Sequence, residues 1–395
     1  MHVFRECFSR AGAVSHGLTF LPRRYPLIAG NKFSTCEDSC PSSDSDGGGS
    51  GESAGANHSA APSAPTPLAT AMPTFTDGCV FNEGCVPVNT FEELKAALED
   101  AVGPVHVEVR AERIEWTSTI TIRAQRVDIV GGLDIASVLD AAGQTNLLEL
   151  TEGAVVGLLA NLEFRDGLSG EFSDGGGALQ MQAGSRIGKI ESCTFRGNVA
   201  QARGSEITGF GDVFGGALLL LDGSIIDEIS GCLFEGNRVE RLGSGGAIDL
   251  QTGARIGDIR GTTFRSNTAA YSGGAIFAGY GDSGVGIIQD CVFVDNRATK
   301  WHGGALGASV GYFDLIVGSV FRSNMAAREG SHIYNFKQKL TILDSEFHDG
   351  GIFIGANRET RAAALRKCIP LHWSPYLWTP YVAAPPDRGS MNLLF

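Results

Sequence analysis

Residues 243–278 read GSGGAIDLQTGARIGDIRGTTFRSNTAAYSGGAIFA. The stretch opens and closes on Gly-Gly-Ala-Ile, at Gly245–Ile248 and Gly273–Ile276, and Phe264-Arg265-Ser266-Asn267 stands between the two copies. Both phrases recur. Gly-Gly-Ala begins again at Gly176, Gly215 and Gly303. Phe-x-x-Asn is found at Phe195/Asn198, Phe234/Asn237, Phe264/Asn267, Phe293/Asn296 and Phe321/Asn324. Phe164 and Phe347 head degenerate copies that end in Gly instead of Asn. The steps from one Phe to the next, starting at Phe164, are 31, 39, 30, 29, 28 and 26 residues. A repeat of this length builds a solenoid, a propeller or an array, because a single unit cannot bury its apolar face alone and must stack on its neighbours.

The interior of the unit can be read from its columns. Five residues before each Phe stands Ile: Ile190, Ile229, Ile259, Ile288, Ile316 and Ile342. Two residues before each Phe stands a small side chain: Cys193, Cys232, Thr262, Cys291, Ser319 and Ser345. The second column shares a strand face with Phe, since side chains alternate with period two. The Ile column has the wrong parity, so a corner must lie between them, and pairs such as Arg260-Gly261 supply it. Short strands joined by tight corners leave no room for a helix. The predicted fold is all-β: a single right-handed parallel β-helix in which each coil bonds to the next at about 4.8 Å. Phe195, Phe234, Phe264, Phe293 and Phe321 then form an interior ladder, and Asn198, Asn237, Asn267, Asn296 and Asn324 form a turn ladder of stacked amides.

The pairing of Gly-Gly-Ala-Ile with Phe-x-x-Asn over roughly residues 160–335 resembles the polymorphic outer-membrane protein repeat of bacterial autotransporter adhesins. The resemblance implies a pectin-lyase-like β-helix exposed at the cell surface, extracellular and often adhesive. It also implies a C-terminal membrane barrel of at least about eight strands. Only forty residues follow Gly355, so a secreted or surface-held repeat protein is expected instead.

Composition and flanking segments complete the organisation. The chain has 395 residues, 54 Gly and a formal net charge of −13, which disfavours nucleic acid as a partner. Residues 1–75 read as a disordered or targeting segment followed by low-complexity linker. They are basic at the start and show no clear signal peptide; an organelle transit segment is an open alternative. No run is long and apolar enough for a transmembrane span. The β-helix is expected over 76–355, with a capping helix at 90–102. That helix begins with a Thr90/Glu93 capping box, and Phe91, Leu94 and Leu98 line its apolar face. Residues 356–395 read as a C-terminal cap or tail.

The chemistry is sparse. No catalytic residue, metal ligand set or cofactor is assigned. Cys79 and Cys85 bracket a short loop and form the candidate disulfide, whereas Cys193, Cys232 and Cys291 read as buried small residues. The glycine-rich Gly209–Asp212 and Gly279–Asp282 occupy different places in their units and do not stack into a calcium site. His302, His332 and His348 fall near the worn end of the repeat, and two readings are open: His302 and His332 meet on one outer face with His348 nearby, or they are exposed or satisfied side chains. Loop length is a better pointer. Most units reach the Gly pair six to eight residues after Asn, but the unit starting at Asn198 takes seventeen. Long loops of a solenoid often gather on its binding face, so Arg203, Glu206, Phe210, Asp212 and Phe214 are the candidate ligand-binding residues. The expected function is a non-catalytic surface scaffold that binds polysaccharide or a cell-surface protein. The alternative is a carbohydrate-active lyase or epimerase with a diverged site.

Overall fold

The computed structural model describes residues 85–354, except 102, 124–125, 133–134, 170–173, 202–212, 241 and 337–339, together with the strand Met391–Leu394. The chain divides into two units, Met1–Ala64 and Pro65–Phe395, and every described residue belongs to the second. That unit is a parallel β-helix. Sheet A stacks ten strands from Cys85–Val88 to Thr341–Leu343, and sheet B nine from Arg113–Glu115 to Glu346–His348. Sheet C stacks ten between Ile120–Ile122 and Met391–Leu394, and a short sheet D stacks five between Val199–Ala200 and Met325–Ala326. The chain visits A, B, D and C in turn and then rises one coil.

The corners explain the spacing of the repeat. The residue three before each Phe takes a left-handed conformation at Asn161, Ser192, Gly231, Gly261, Asp290, Gly318 and Asp344. The residue two after each Phe does the same at Asp166, Gly197, Gly236, Ser266, Asp295, Ser323 and Asp349. Gly, Asn, Asp and Ser are the side chains that tolerate such turns or satisfy them locally. The Gly pair has two separate causes. Gly245 has φ of 69°, and a Cβ on Gly246 would lie 2.0 Å from the Gly274 carbonyl oxygen of the next coil. The first glycine is required by conformation and the second by lack of space.

Inside, the ladders are continuous. The rings of Phe164, Phe195, Phe234, Phe264, Phe293, Phe321 and Phe347 stack with centroids 4.6 to 4.9 Å apart. Each in-register pair adds ring contact to the buried area. Ile190, Ile229, Ile259, Ile288 and Ile316 align on sheet A, also fully buried. The small column is itself a hydrogen-bonded ladder at the corner. The Cys193 N–H donates to Cys232 Sγ at 3.4 Å, and the Cys291 N–H to Ser319 Oγ at 3.1 Å. Cys193, Cys232 and Cys291 are free buried thiols, and burial pushes Cys232 and Cys291 up to about 12.

Both ends carry covers. Helix α1 (Phe91–Glu99) starts at Thr90, whose Oγ1 accepts from the Glu93 N–H at 3.3 Å. Glu93 reaches back to accept from the Asn89 N–H at 2.7 Å, one residue earlier than the usual capping box. Phe91, Leu94 and Leu98 are buried, and Phe91 packs edge-on against Trp116. Glu99 accepts from the Thr121 N–H at 2.9 Å and so satisfies an edge donor of the first sheet C strand. At the far end, Met391–Leu394 pairs antiparallel with Gly351–Ile354 and closes that edge of sheet C. Exposed edges of this kind invite unwanted pairing. Cys85 is disulfide-bonded. Cys79, its expected partner, lies outside the described residues.

Candidate binding face

The outward columns differ between sheets. On sheet B the outer residues of the middle coils include a charged, paired run: Arg196 meets Glu163 at 3.2 Å and also contacts Glu235, which Arg265 contacts in turn; Val292, Val294 and Val320 take the outward positions further along. On sheet A, Lys189 sits between Glu191 at 2.7 Å and Glu228 at 3.4 Å. Sheet C breaks this pattern. Its outward column runs Thr121, Glu149, Gln180, Leu219, Asp249, Phe277, Gly307, Tyr334 and Phe353.

The aromatic members of that column stack. Tyr334 has Phe353 on one face at 4.9 Å and the His302 ring on the other at 4.3 Å. With Phe353 one coil to one side, His302 must fill the level that Gly307 leaves empty. Phe277 leans over the same gap, since a Cβ on Gly307 would lie 3.1 Å from its ring. Phe336 lies parallel to Tyr334 and is 45% exposed. Tyr280 meets Phe277 and Phe214 edge-on. A second column runs beside the first along the loop that precedes the Gly pair. The Trp301 N–H donates to the Tyr271 carbonyl and the Arg328 N–H to that of Trp301, which sets the three residues one coil apart. Tyr271 and Trp301 stack at 4.6 Å, and the Lys300 ammonium lies 5.7 Å from the Tyr271 ring centre.

Two ionisable groups belong to this face. His302 Nδ1 lies 2.6 Å from Glu329. Burial lowers its pKa and outweighs Glu329, which raises it. Burial, helped by Glu329, pushes the Tyr334 hydroxyl up to about 12. Deeper in the column, Asp249 is fully buried. It accepts from Gln251 Nε2 at 2.6 Å, its second oxygen has no hydrogen-bond partner among the described residues, and burial raises its pKa well above the usual carboxylate range.

The candidates drawn from the sequence separate here. Phe214 is half-buried against Tyr280 at the edge of the aromatic face. Arg203, Glu206, Phe210 and Asp212 lie outside the described residues. A cleft of about 510 Å³ opens where sheet D begins, lined in part by Asp166, Val199, Gln201 and the Arg238–Glu240 ion pair. It borders the point where the long insertion leaves the coil. The three histidines do not converge on one outer face. His302 is outside, but His332 occupies the inward Ala position of the repeat and is fully buried. Its Nδ1 accepts from Asn324 Nδ2 at 3.1 Å. The Tyr271, Trp301 and Tyr334 columns were not singled out from sequence. Reading the position two after Gly-Gly-Ala and the position two before it would have found them.

Together these features define a parallel β-helix built from stacked sequence repeats. The family model of the Chlamydia polymorphic membrane protein repeat matches residues 261–279, which hold Phe264, Asn267 and the Gly273–Gly274 pair of one coil. No curated protein and no solved structure matches the chain. Among the described residues, no helix is long and apolar enough to cross a membrane, and no group of three or more His, Cys, Asp or Glu is placed to hold a metal ion.

Proposed function

We propose that this chain is a non-catalytic surface β-helix, adhesin-like, that binds a polysaccharide or a cell-surface protein through the outer face of sheet C. The observation that carries this reading is the reversal of the outward column, where stacked aromatics replace the paired charges of sheets A and B. Rings held between neighbours lose little freedom when a ligand docks on them, and such preorganisation favours binding. An extracellular or surface location agrees with the membrane protein named by the matched repeat.

One arrangement favours the alternative, a polyuronide lyase or epimerase. Glu329 orients His302 as a general base would be oriented. Against it, one face of the His302 ring is taken by Tyr334, whose hydroxyl stays protonated at neutral pH. The test incubates the full chain with alginate, pectate and neutral wall glycans, with and without calcium. It follows both retention on the glycan and new unsaturated or reducing ends. Retention without product is expected. Product that disappears in His302→Ala would replace this reading with the enzymatic one.

A further inference from the structure

We infer that the ledge formed by Tyr271, Trp301 and Arg328, with Arg297 and Lys300 beside it, binds an anionic polysaccharide. This rests on the binding-scaffold reading above and names the class of ligand.

Local charge marks the ledge. Three successive stretches, 268–275, 297–305 and 325–332, form this side of the stack. Their fixed charges are Arg297, Lys300 and Arg328 against the single carboxylate Glu329, which lies 2.6 Å from His302. The chain as a whole carries −13, so a cationic patch here runs against the field of the molecule. The two arginines of the ledge also lack ion-pair partners among the described residues. Several arginines elsewhere on the coil surface are tied to carboxylates, as Arg186 is to Asp227 at 2.8 Å and Arg238 to Glu240 at 2.9 Å, whereas the scattered Arg255 and Arg322 are exposed without an ion pair among the described residues. Arg297 and Arg328 are exposed and make no ion pair within the described residues. Arg297 stands on sheet D, in register with Thr268 and Met325, so its column runs alongside the ledge.

The shape of the ledge agrees with its charge. The Tyr271–Trp301 stack forms an apolar step next to these cations. A charged sugar presents ring C–H groups and an anionic group side by side, and matches both. A nucleic acid fits less well. Its successive bases need open ring faces to stack on, and the Tyr271–Trp301 stack at 4.6 Å leaves at most one face of each ring open.

The test measures binding of the full chain to heparin, polygalacturonate, dextran and single-stranded DNA at low and at physiological ionic strength. Binding to the sulfated or the carboxylated glycan is expected, weakening as salt screens it, with dextran and DNA weaker. Comparing heparin with polygalacturonate shows which anionic group is preferred. Arg328→Gln and Arg297→Gln should each weaken binding by about tenfold, the scale of one partly screened charge contact. Arg328→Lys should retain most of it. Arg322→Gln removes another exposed arginine, on sheet B and away from the ledge, and should change nothing. Equal effects of Arg328→Gln and Arg322→Gln, or tightest binding to DNA, would overturn the inference. So would anion-independent retention on dextran. If a neutral glycan or a cell-surface protein binds and Tyr334→Ser alone weakens it, the scaffold reading stands and the anionic specificity falls.

Discussion

The Asn ladder shows how one residue type can hold a coil stack together. Asn237 Oδ1 accepts from both the N–H and Nδ2 of Asn198, and Asn237 Nδ2 donates to Phe195 O and to Asn267 Oδ1. Every buried amide atom is satisfied by a neighbouring coil. Asn267→Ala should therefore strand several buried groups at once and cost roughly 3–5 kcal/mol, measured by chemical denaturation. The ladder ends at Asn324, because the next coil has Gly350 where Asn would stand. The His332 ring takes that space: a Cβ on Gly350 would lie 2.5 Å from its Nε2. Since Asn324 Nδ2 can only donate, His332 Nδ1 must accept, and the ring is neutral. Burial lowers its pKa to about 4. The unfolded chain takes up the proton near pH 6.5, so stability is lost as pH falls from about 6.5 toward 4, by about 3 kcal/mol in full. His332→Ala should be less stable at neutral pH and should lack this component of acid loss. Asp249 has the opposite sign. Its folded pKa is raised, so its contribution is present at low pH and lost as pH rises above the unfolded carboxylate value. Asp249→Asn should raise stability at neutral pH and leave it nearly unchanged near pH 3; a loss at neutral pH would show that the carboxylate has a partner role.

At the scale of the element, the corner is the unit of design. Gly246→Ala places a methyl group against the next coil's backbone and should cost roughly 2–4 kcal/mol, with the loss read as a lower denaturation midpoint. Much of this was legible in the sequence. The Phe, Ile and Asn columns and the N-terminal helix can be read directly, because interior positions repeat one residue type and stacking forces identical residues into register. The columns three before and two after Phe also hold only Gly, Asn, Asp and Ser, which is the signature of left-handed turns. The binding face was less legible for a physical reason. Outer positions are free to vary from coil to coil, so Asp249, Phe277, Gly307 and Tyr334 share a column without sharing a residue type. Their stacking becomes visible only once the coil register is set. His332 was misleading for the complementary reason: it looks like an exposed histidine beside a glycine turn, and its inward position follows only from the Ala column it replaces.

At the scale of the whole repeat unit, stability is close to a sum of coils and their contacts, and the two ends matter out of proportion. Helix α1 covers one end and the antiparallel strand Met391–Leu394 covers an edge at the other. Trp116→Ala should loosen the first end. It removes the ring that Phe91 packs on and the Nε1 donor to the Leu147 carbonyl. Faster amide exchange in the first coils, with little change around Phe264, is the expected result. The surface pairs on sheets A and B should matter little, since exposed ion pairs contribute at most about 1 kcal/mol each. What distinguishes the molecule is that one side of the stack carries aromatic rings on its outward columns, with Tyr271, Trp301 and Tyr334 half-buried and Phe277 and Phe353 buried. The measurement that tests this most directly compares the full chain with a Trp301→Ser/Tyr334→Ser variant for retention on a glycan panel and on cell surfaces, with circular dichroism as the check on folding. The account predicts that the folded variant loses retention that the wild-type chain shows, and that neither yields new sugar ends. Undiminished retention by the folded variant, or product released by the wild-type chain, would contradict it.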